Sequence, residues 1–346
     1  MNKVKAALLL LLVYGSSLLA GCTDTQGNSA PTAVQTDPPI QIGITFDNFV
    51  VERWIRDRDV FVTTAADSGV KVNVQNANGS VDEQISQIEY FIKKDVDVIV
   101  IIAVDGSKLQ PVVAKARNSG IKVIAYDRLI RNAGVDLYIS FDNEEVGRLM
   151  GQAIVDALPD GGNVFAVNGP TSDNNVLMVE KGFLEAIEKS SLKVVYTSYC
   201  EGWLSDLAFS SVNEGLEVTP DVHAVMCGND DLASQAFRAL AENRIADKVI
   251  LVGQDADLAA CQRIVEGTQA MTVYKSVDEL ARAAALYAVR LAKGESLNIS
   301  DTIYDGTGDV PYYGLEPVAV TRDNIDEVII DGGFHLREDV YLNVKQ

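Results

Sequence analysis

Polar groups stand directly behind apolar, β-branched runs throughout this chain. Asp47 follows Ile42–Phe46, Asp105 follows Val96–Ile102, and Asp127-Arg128 follows Ile121–Ala125. Asn229-Asp230 comes after Ala224–Cys227, Gln254-Asp255 after Val249–Val252, and Lys275 after Ala270–Val273. These are carboxylates, amides and cations with few apolar companions. Such a set suits a neutral polyhydroxylated ligand, whose hydroxyls donate to carboxylates while accepting from Arg, Lys or Asn. Taken singly, each also reads as a helix N-cap or turn former, and it is the repetition that points to a site. The chain has only two tryptophans, Trp54 behind Glu52-Arg53 and Trp203 in Cys200-Glu201-Gly202-Trp203, and neither lies inside an apolar run. A pyranose ring packs its C–H faces on indole, so one tryptophan from each side would sandwich it; either could equally plug a helix–sheet junction.

The elements that must position these groups are legible as an alternation. Apolar runs at Ile42–Phe46, Val70–Val74, Val96–Ile102 and Ile121–Ala125 read as strands, with helical patterns near 52–68, 80–94 and 107–119 between them. The second half repeats the rhythm, with strands near Asn163–Val167, Lys193–Thr197, Ala224–Cys227, Val249–Val252 and Ala270–Val273. This is a βαβ pattern, hence α/β with parallel sheets covered on both faces. In such sheets ligands bind in the crevice beyond the carboxyl ends of the strands, which is where the polar groups fall. Roughly 300 residues from Ile40 onward exceed what one core usually serves and predict two domains. Tyr138–Asp142 reads as a short strand followed by a new helix, and the first crossing between domains is expected there.

Composition narrows the function further. A formal charge of −20 disfavours nucleic acid and anionic lipid as partners. No glycine fingerprint opens the helix after Phe46, against a dinucleotide enzyme. Asp127 and Asp255 resemble a glycosidase pair, yet the neighbouring Arg128 and Lys275 would keep both ionised, where one must donate a proton. Histidine chemistry has only His223 and His335 to draw on. Asp255, Asp257 and Glu266 imitate a calcium loop but lack its central glycine and third acidic ligand. Beyond Cys22 the cysteines are Cys200, Cys227 and Cys261, too few and too widely spaced for a disulfide framework. They are expected as buried thiols, with one pairing left open.

The start of the chain addresses it outward. Lys3 and Lys5 precede an apolar stretch, Ala6–Leu19, which is too short to span a bilayer. Leu19-Ala20-Gly21-Cys22 resembles a bacterial lipobox, making Cys22 the lipidation site and residues 1–22 a lipoprotein signal. Residues 23–39 have a flexible spacer's composition.

Several stretches, met in order along the chain, resemble the D-xylose-binding branch of the periplasmic sugar-binding protein family. They are Glu52-Arg53-Trp54 with Asp57-Arg58-Asp59, Val123–Arg128, Tyr138–Asn143, Asp173-Asn174-Asn175, Gly202-Trp203-Leu204, Asn229-Asp230, and Gly253–Ala259 through Met271–Lys275. The resemblance implies two Rossmann-like lobes joined by a three-strand hinge, of the type I periplasmic binding protein architecture. The lobes would be 40–141 with 276–305, and 142–275 with 306–346. It further implies that Arg53, Trp54, Asp127 and Arg128 meet the sugar from the first lobe and hinge side, and Asn174, Trp203, Asn229, Asp255 and Lys275 from the second. The implied ligand is D-xylose. The family pattern is departed from at Ala103–Gly106 and around Cys200, and a roomier pocket would admit the extra hydroxymethyl of D-glucose, a difference of about 1–3 kcal/mol. No cofactor and no catalysis are implied. The partner would be an ABC permease or, alternatively, a membrane histidine kinase or chemoreceptor.

Overall fold

A computed structural model of the protein describes residues 39–51 and 53–344; the signal segment, Cys22 and the spacer up to residue 38 lie outside the described residues. The first half runs β1 (Gln41–Phe46), α1 (Arg53–Asp67), β2 (Lys71–Asn76), α2 (Val81–Lys93), β3 (Val98–Ile101), α3 (Gln110–Asn118), β4 (Lys122–Tyr126) and β5 (Leu137–Phe141). The second continues with α4 (Asn143–Ala157), β6 (Gly162–Asn168), α5 (Asn174–Ile187), β7 (Leu192–Tyr199), α6 (Asp206–Val218), β8 (Ala224–Cys227), α7 (Asp230–Glu242), β9 (Ile250–Gln254), α8 (Leu258–Glu266) and β10 (Met271–Tyr274). The chain closes with α9 (Val277–Ala292), β11 (Thr302–Tyr304), β12 (Asp309–Leu315), β13 (Val318–Val320), a π-helical turn at Asp326–Asp331 and α10 (Arg337–Val340).

The strands form two sheets, β11-β12-β5-β4-β3-β1-β2 and β13-β10-β9-β8-β6-β7. All pairings are parallel except β11 with β12 and β10 with β13. β3, Val-Ile-Val-Ile, is buried at every position, as a central strand covered on both faces must be. The helix starts are set by side chains that accept backbone N–H groups: Ser80 caps α2, Asp142 α4, Asp173 α5 and Asn229 α7. Cys200, Cys227 and Cys261 are buried free thiols.

The chain passes between the two sheets three times. It leaves the first after β5, at Asp142. It returns after β10, at Lys275-Ser276, because α9 packs on α1 and behind β3, β4 and β5. It leaves again after β12, at Glu316-Pro317, into β13. The last crossing therefore falls later than the boundary expected at residue 305: β12 pairs in parallel with β5, Tyr313 opposite Ile139, and so belongs to the first lobe. β11, β12, β13 and the C-terminal turns carry short, half-exposed patterns that the hydrophobic periodicity does not mark.

Candidate functional site

A cavity lies between the carboxyl ends of the two sheets. Val51, Arg53 and Trp54 at the start of α1 line it, with Asp127 and Arg128 after β4 and Asn143 at the first crossing. Facing them are Asn168-Gly169 at the end of β6, Asp173 and Asn175 at α5, Trp203, Gly228-Asn229, Gln254-Asp255 and Lys275. Arg53, Trp54, Asp127, Arg128, Trp203, Asn229, Asp255 and Lys275 thus come together as expected by position, and none is more than 8% exposed.

Asn174 does not join them. It lies at the rim, where its side-chain oxygen accepts from Arg131, while the adjacent Asn175 takes the place in the cavity. Successive helical residues point about 100° apart, so only one of the pair can face inward. Asp105 is also outside, holding its own turn through Ser107 and pairing with Lys108. Asn143, Asp173 and Asn175 lie in stretches that carry the resemblance but, like Asn168, are not among the contacts it implies. The rule that found the others, a polar group directly after a strand, also picks out Asn168 behind Asn163–Val167.

The charged groups form chains across the cavity. Arg53 reaches Asp57 at 3.2 Å, Asp127 at 3.0 Å and Asp255 at 4.0 Å, and Lys275 Nζ lies 2.8 Å from Asp255. Arg128 pairs with Asp47 at 2.7 Å and with Asp173 at 2.8 Å, and donates to the carbonyl of Ala103. The partner of Asp127 is thus primarily Arg53, where the neighbouring Arg128 was expected. Asn175 donates to Asp127 from the other lobe at 2.9 Å, and Trp203 Nε1 donates to Asp173 at 3.3 Å. Burial opposes ionisation of Asp127, but Arg53, Lys275 and Arg128 outweigh it and hold its carboxyl below the usual range. Burial instead raises Asp57, which also accepts from Tyr126. Asp127 is therefore a fixed acceptor, unsuited to proton donation.

The aromatic walls are built tightly. The Arg53 guanidinium covers the Trp54 ring at 4.5 Å. The Trp203 ring packs on Gly169, where a Cβ would fall 2.4 Å from it. Asp127, Trp203 and Asp255 all have positive φ, of 62°, 58° and 98°. Backbone strain of this kind gathers at ligand clamps. Several buried polar atoms in the walls, Trp54 Nε1, Asn168 Nδ2, Asn175 Oδ1 and Gln254 Oε1, have no hydrogen-bond partner among the described residues. The arrangement supplies donors, acceptors and indole faces around one cavity.

Comparisons with known proteins agree with this architecture. Residues 42–296 match the family model described as periplasmic binding protein domain. The chain is 41% identical to the D-xylose-binding periplasmic protein of Haemophilus influenzae over 344 residues, covering 98% of this chain and 99% of that one. It is 42% identical to the protein of the same description from Escherichia coli, over 87% of this chain and 92% of that one. Among solved structures, an ABC transporter solute binding protein from Clostridium phytofermentans with bound β-D-glucose superimposes with a TM-score of 0.80 at 28% identity, covering 87% of this chain and 99% of that one. Two α/β lobes, a cavity between their strand ends and this similarity along the length of the chain lead to one conclusion: the chain belongs to the periplasmic binding protein family and, like these relatives, is a binding protein rather than an enzyme.

Proposed function

We propose that this protein works outside the cytoplasm, where it captures a monosaccharide, D-xylose in the first place, between its lobes and delivers it to an ABC permease. The observation that carries the reading is the set of buried, unpartnered polar atoms, Trp54 Nε1, Asn168 Nδ2, Asn175 Oδ1 and Gln254 Oε1, beside the pairs Arg53–Asp127 and Lys275–Asp255. Buried polar atoms are almost always hydrogen-bonded, and a pyranose, with hydroxyls on four of its ring carbons and a ring oxygen, would satisfy donors and acceptors together. Trp54 and Trp203 would pack its C–H faces. The ligand named for the two similar proteins from Haemophilus influenzae and Escherichia coli supports D-xylose. D-glucose is the alternative, favoured by the sugar held in the solute binding protein of Clostridium phytofermentans, whose description also supports delivery to a transporter over signalling. The contacts we assign are Arg53, Trp54, Asp127, Arg128, Asn175, Trp203, Asn229, Asp255 and Lys275. Cys22 would carry the lipid that tethers the chain.

Calorimetric titration with D-xylose, D-glucose, D-ribose and L-arabinose, with tryptophan fluorescence in parallel, tests the ligand. Tight D-xylose binding with a fluorescence change is expected, tight D-glucose binding alone would move the specificity, and silence with all four would overturn the assignment. Labelled fatty acid incorporated into the protein but not into Cys22→Ala tests the anchor.

A further inference from the structure

Two contacts join the lobes at the rim of the cleft without touching the central cavity. At one end Arg131, on the loop after β4 in the first lobe, donates from Nε (3.1 Å) and Nη2 (2.6 Å) to Oδ1 of Asn174 in the second. At the other, Arg56 on α1 donates from Nη1 to the carbonyl of Phe334 at 3.2 Å, with its guanidinium 4.7 Å from the Phe334 ring. Phe334 belongs to the second lobe, packed edge-on against Tyr274 in the cluster formed by α8 and the C-terminal turns. Arg56 is held in place from its own lobe by a two-pronged pair with Asp278 of α9, at 2.5 and 3.0 Å. Arg56, Arg131, Asn174 and Phe334 are absent from the cavity walls among the described residues.

We infer that Arg56 and Arg131 are paired latches that set how far the closed form is populated, and thereby affinity, without taking part in sugar selection. This rests on the ligand-capture reading above. The contacts inside the cavity that also cross between lobes, Arg128 with Asp173, Asn175 with Asp127 and Arg53 with Asp255, would share their groups with a ligand. The rim contacts involve none of the groups that a ligand in the cavity would use, so they favour the closed form with or without one. Measured affinity is the intrinsic value divided by the competent fraction, so weakening a latch weakens every ligand by one factor. Partly exposed ion–dipole contacts of this kind lead us to expect about two- to fivefold per latch.

The test uses Arg131→Ala, Arg56→Ala, Asn174→Ala and the double variants, with affinity measured for D-xylose and D-glucose. Lobe separation without ligand is read by pulsed electron resonance between spin labels on Asn118→Cys and Glu242→Cys, which are exposed while Cys200, Cys227 and Cys261 are buried. Expected are a smaller closed fraction in every latch variant, equal weakening for both sugars, and, for Arg131→Ala and Asn174→Ala, which break no ion pair within their own lobe among the described residues, an unchanged melting temperature. Arg131→Ala with Asn174→Ala should behave as one loss, and Arg131→Ala with Arg56→Ala as the product of two. Weakening confined to one sugar would make these residues ligand contacts and overturn the inference, as would an unchanged closed fraction with no weakening of either sugar. If the unaltered protein binds neither sugar, the ligand reading fails, and a closed fraction that still falls in the variants upholds the latches.

Discussion

Asp255 stands between two cations, 2.8 Å from Lys275 and 4.0 Å from Arg53, on backbone with φ at 98°. Its removal would leave Lys275 buried without a carboxylate, so Asp255→Ala should weaken sugar binding roughly 10- to 100-fold and lower stability by about 3 kcal/mol. Calorimetry and urea unfolding measure the two losses separately. Trp203→Ala should cost about tenfold or more in affinity and abolish most of the fluorescence response. At this scale the sequence says which residue types gather but not which way each side chain turns. Asp173-Asn174-Asn175 offers three polar neighbours at a helix start, and only the helical rotation sends Asn175 inward and Asn174 to Arg131. Likewise Asp105 obeys the strand-end rule as well as Asp127 does, yet folds back on Ser107. A strand end fixes position; the turn that follows fixes direction.

Helices α4 and α5 approach backbone to backbone. A Cβ on Gly147 would lie 2.0 Å from the carbonyl oxygen of Val179, and one on Gly182 would lie 1.8 Å from that of Glu144. Gly147→Ala or Gly182→Ala must therefore spread the pair, and we expect each to cost about 1–3 kcal/mol in denaturant unfolding, with sugar specificity retained. At the start of α7, Asp230 is fully buried and accepts from Thr272 and Gln269, and burial pushes its carboxyl up to about 7. A carboxyl raised in the folded state favours folding while it is protonated, so its contribution is present below the ordinary carboxylate range and lost as pH rises through about 7. Melting temperature should fall between pH 5 and pH 8 from this group, and Asp230→Asn should flatten that slope. β3, whose burial is complete, announces itself by an unbroken β-branched run. β11 and β13, three residues each and partly exposed, owe their form to the strand they meet, so nothing local marks them.

For the whole molecule, a ligand that binds only the folded, closed form must raise stability by mass action, about 2.7 kcal/mol at one hundred times the dissociation constant. The melting temperature should climb with D-xylose and stay level with a sugar that does not bind, a comparison that needs only a thermal scan. The two-lobe plan is legible from the repeated strand–helix rhythm, but the third crossing is not, because the segment that makes it is short and partly exposed. That crossing has a consequence in time. β12 completes the first sheet beside β5, and Phe141 receives the hydroxyl of Tyr312 from 171 residues further along. Neither lobe is a continuous piece of chain, so the first to be synthesised lacks both α9 and an inner strand of its sheet until almost everything else has been made. Pairings this distant form slowly. If the chain crosses a membrane unfolded, as the proposed role outside the cytoplasm requires, the late arrival of β12 would keep the first lobe from finishing early, so the third crossing would also favour a translocatable state.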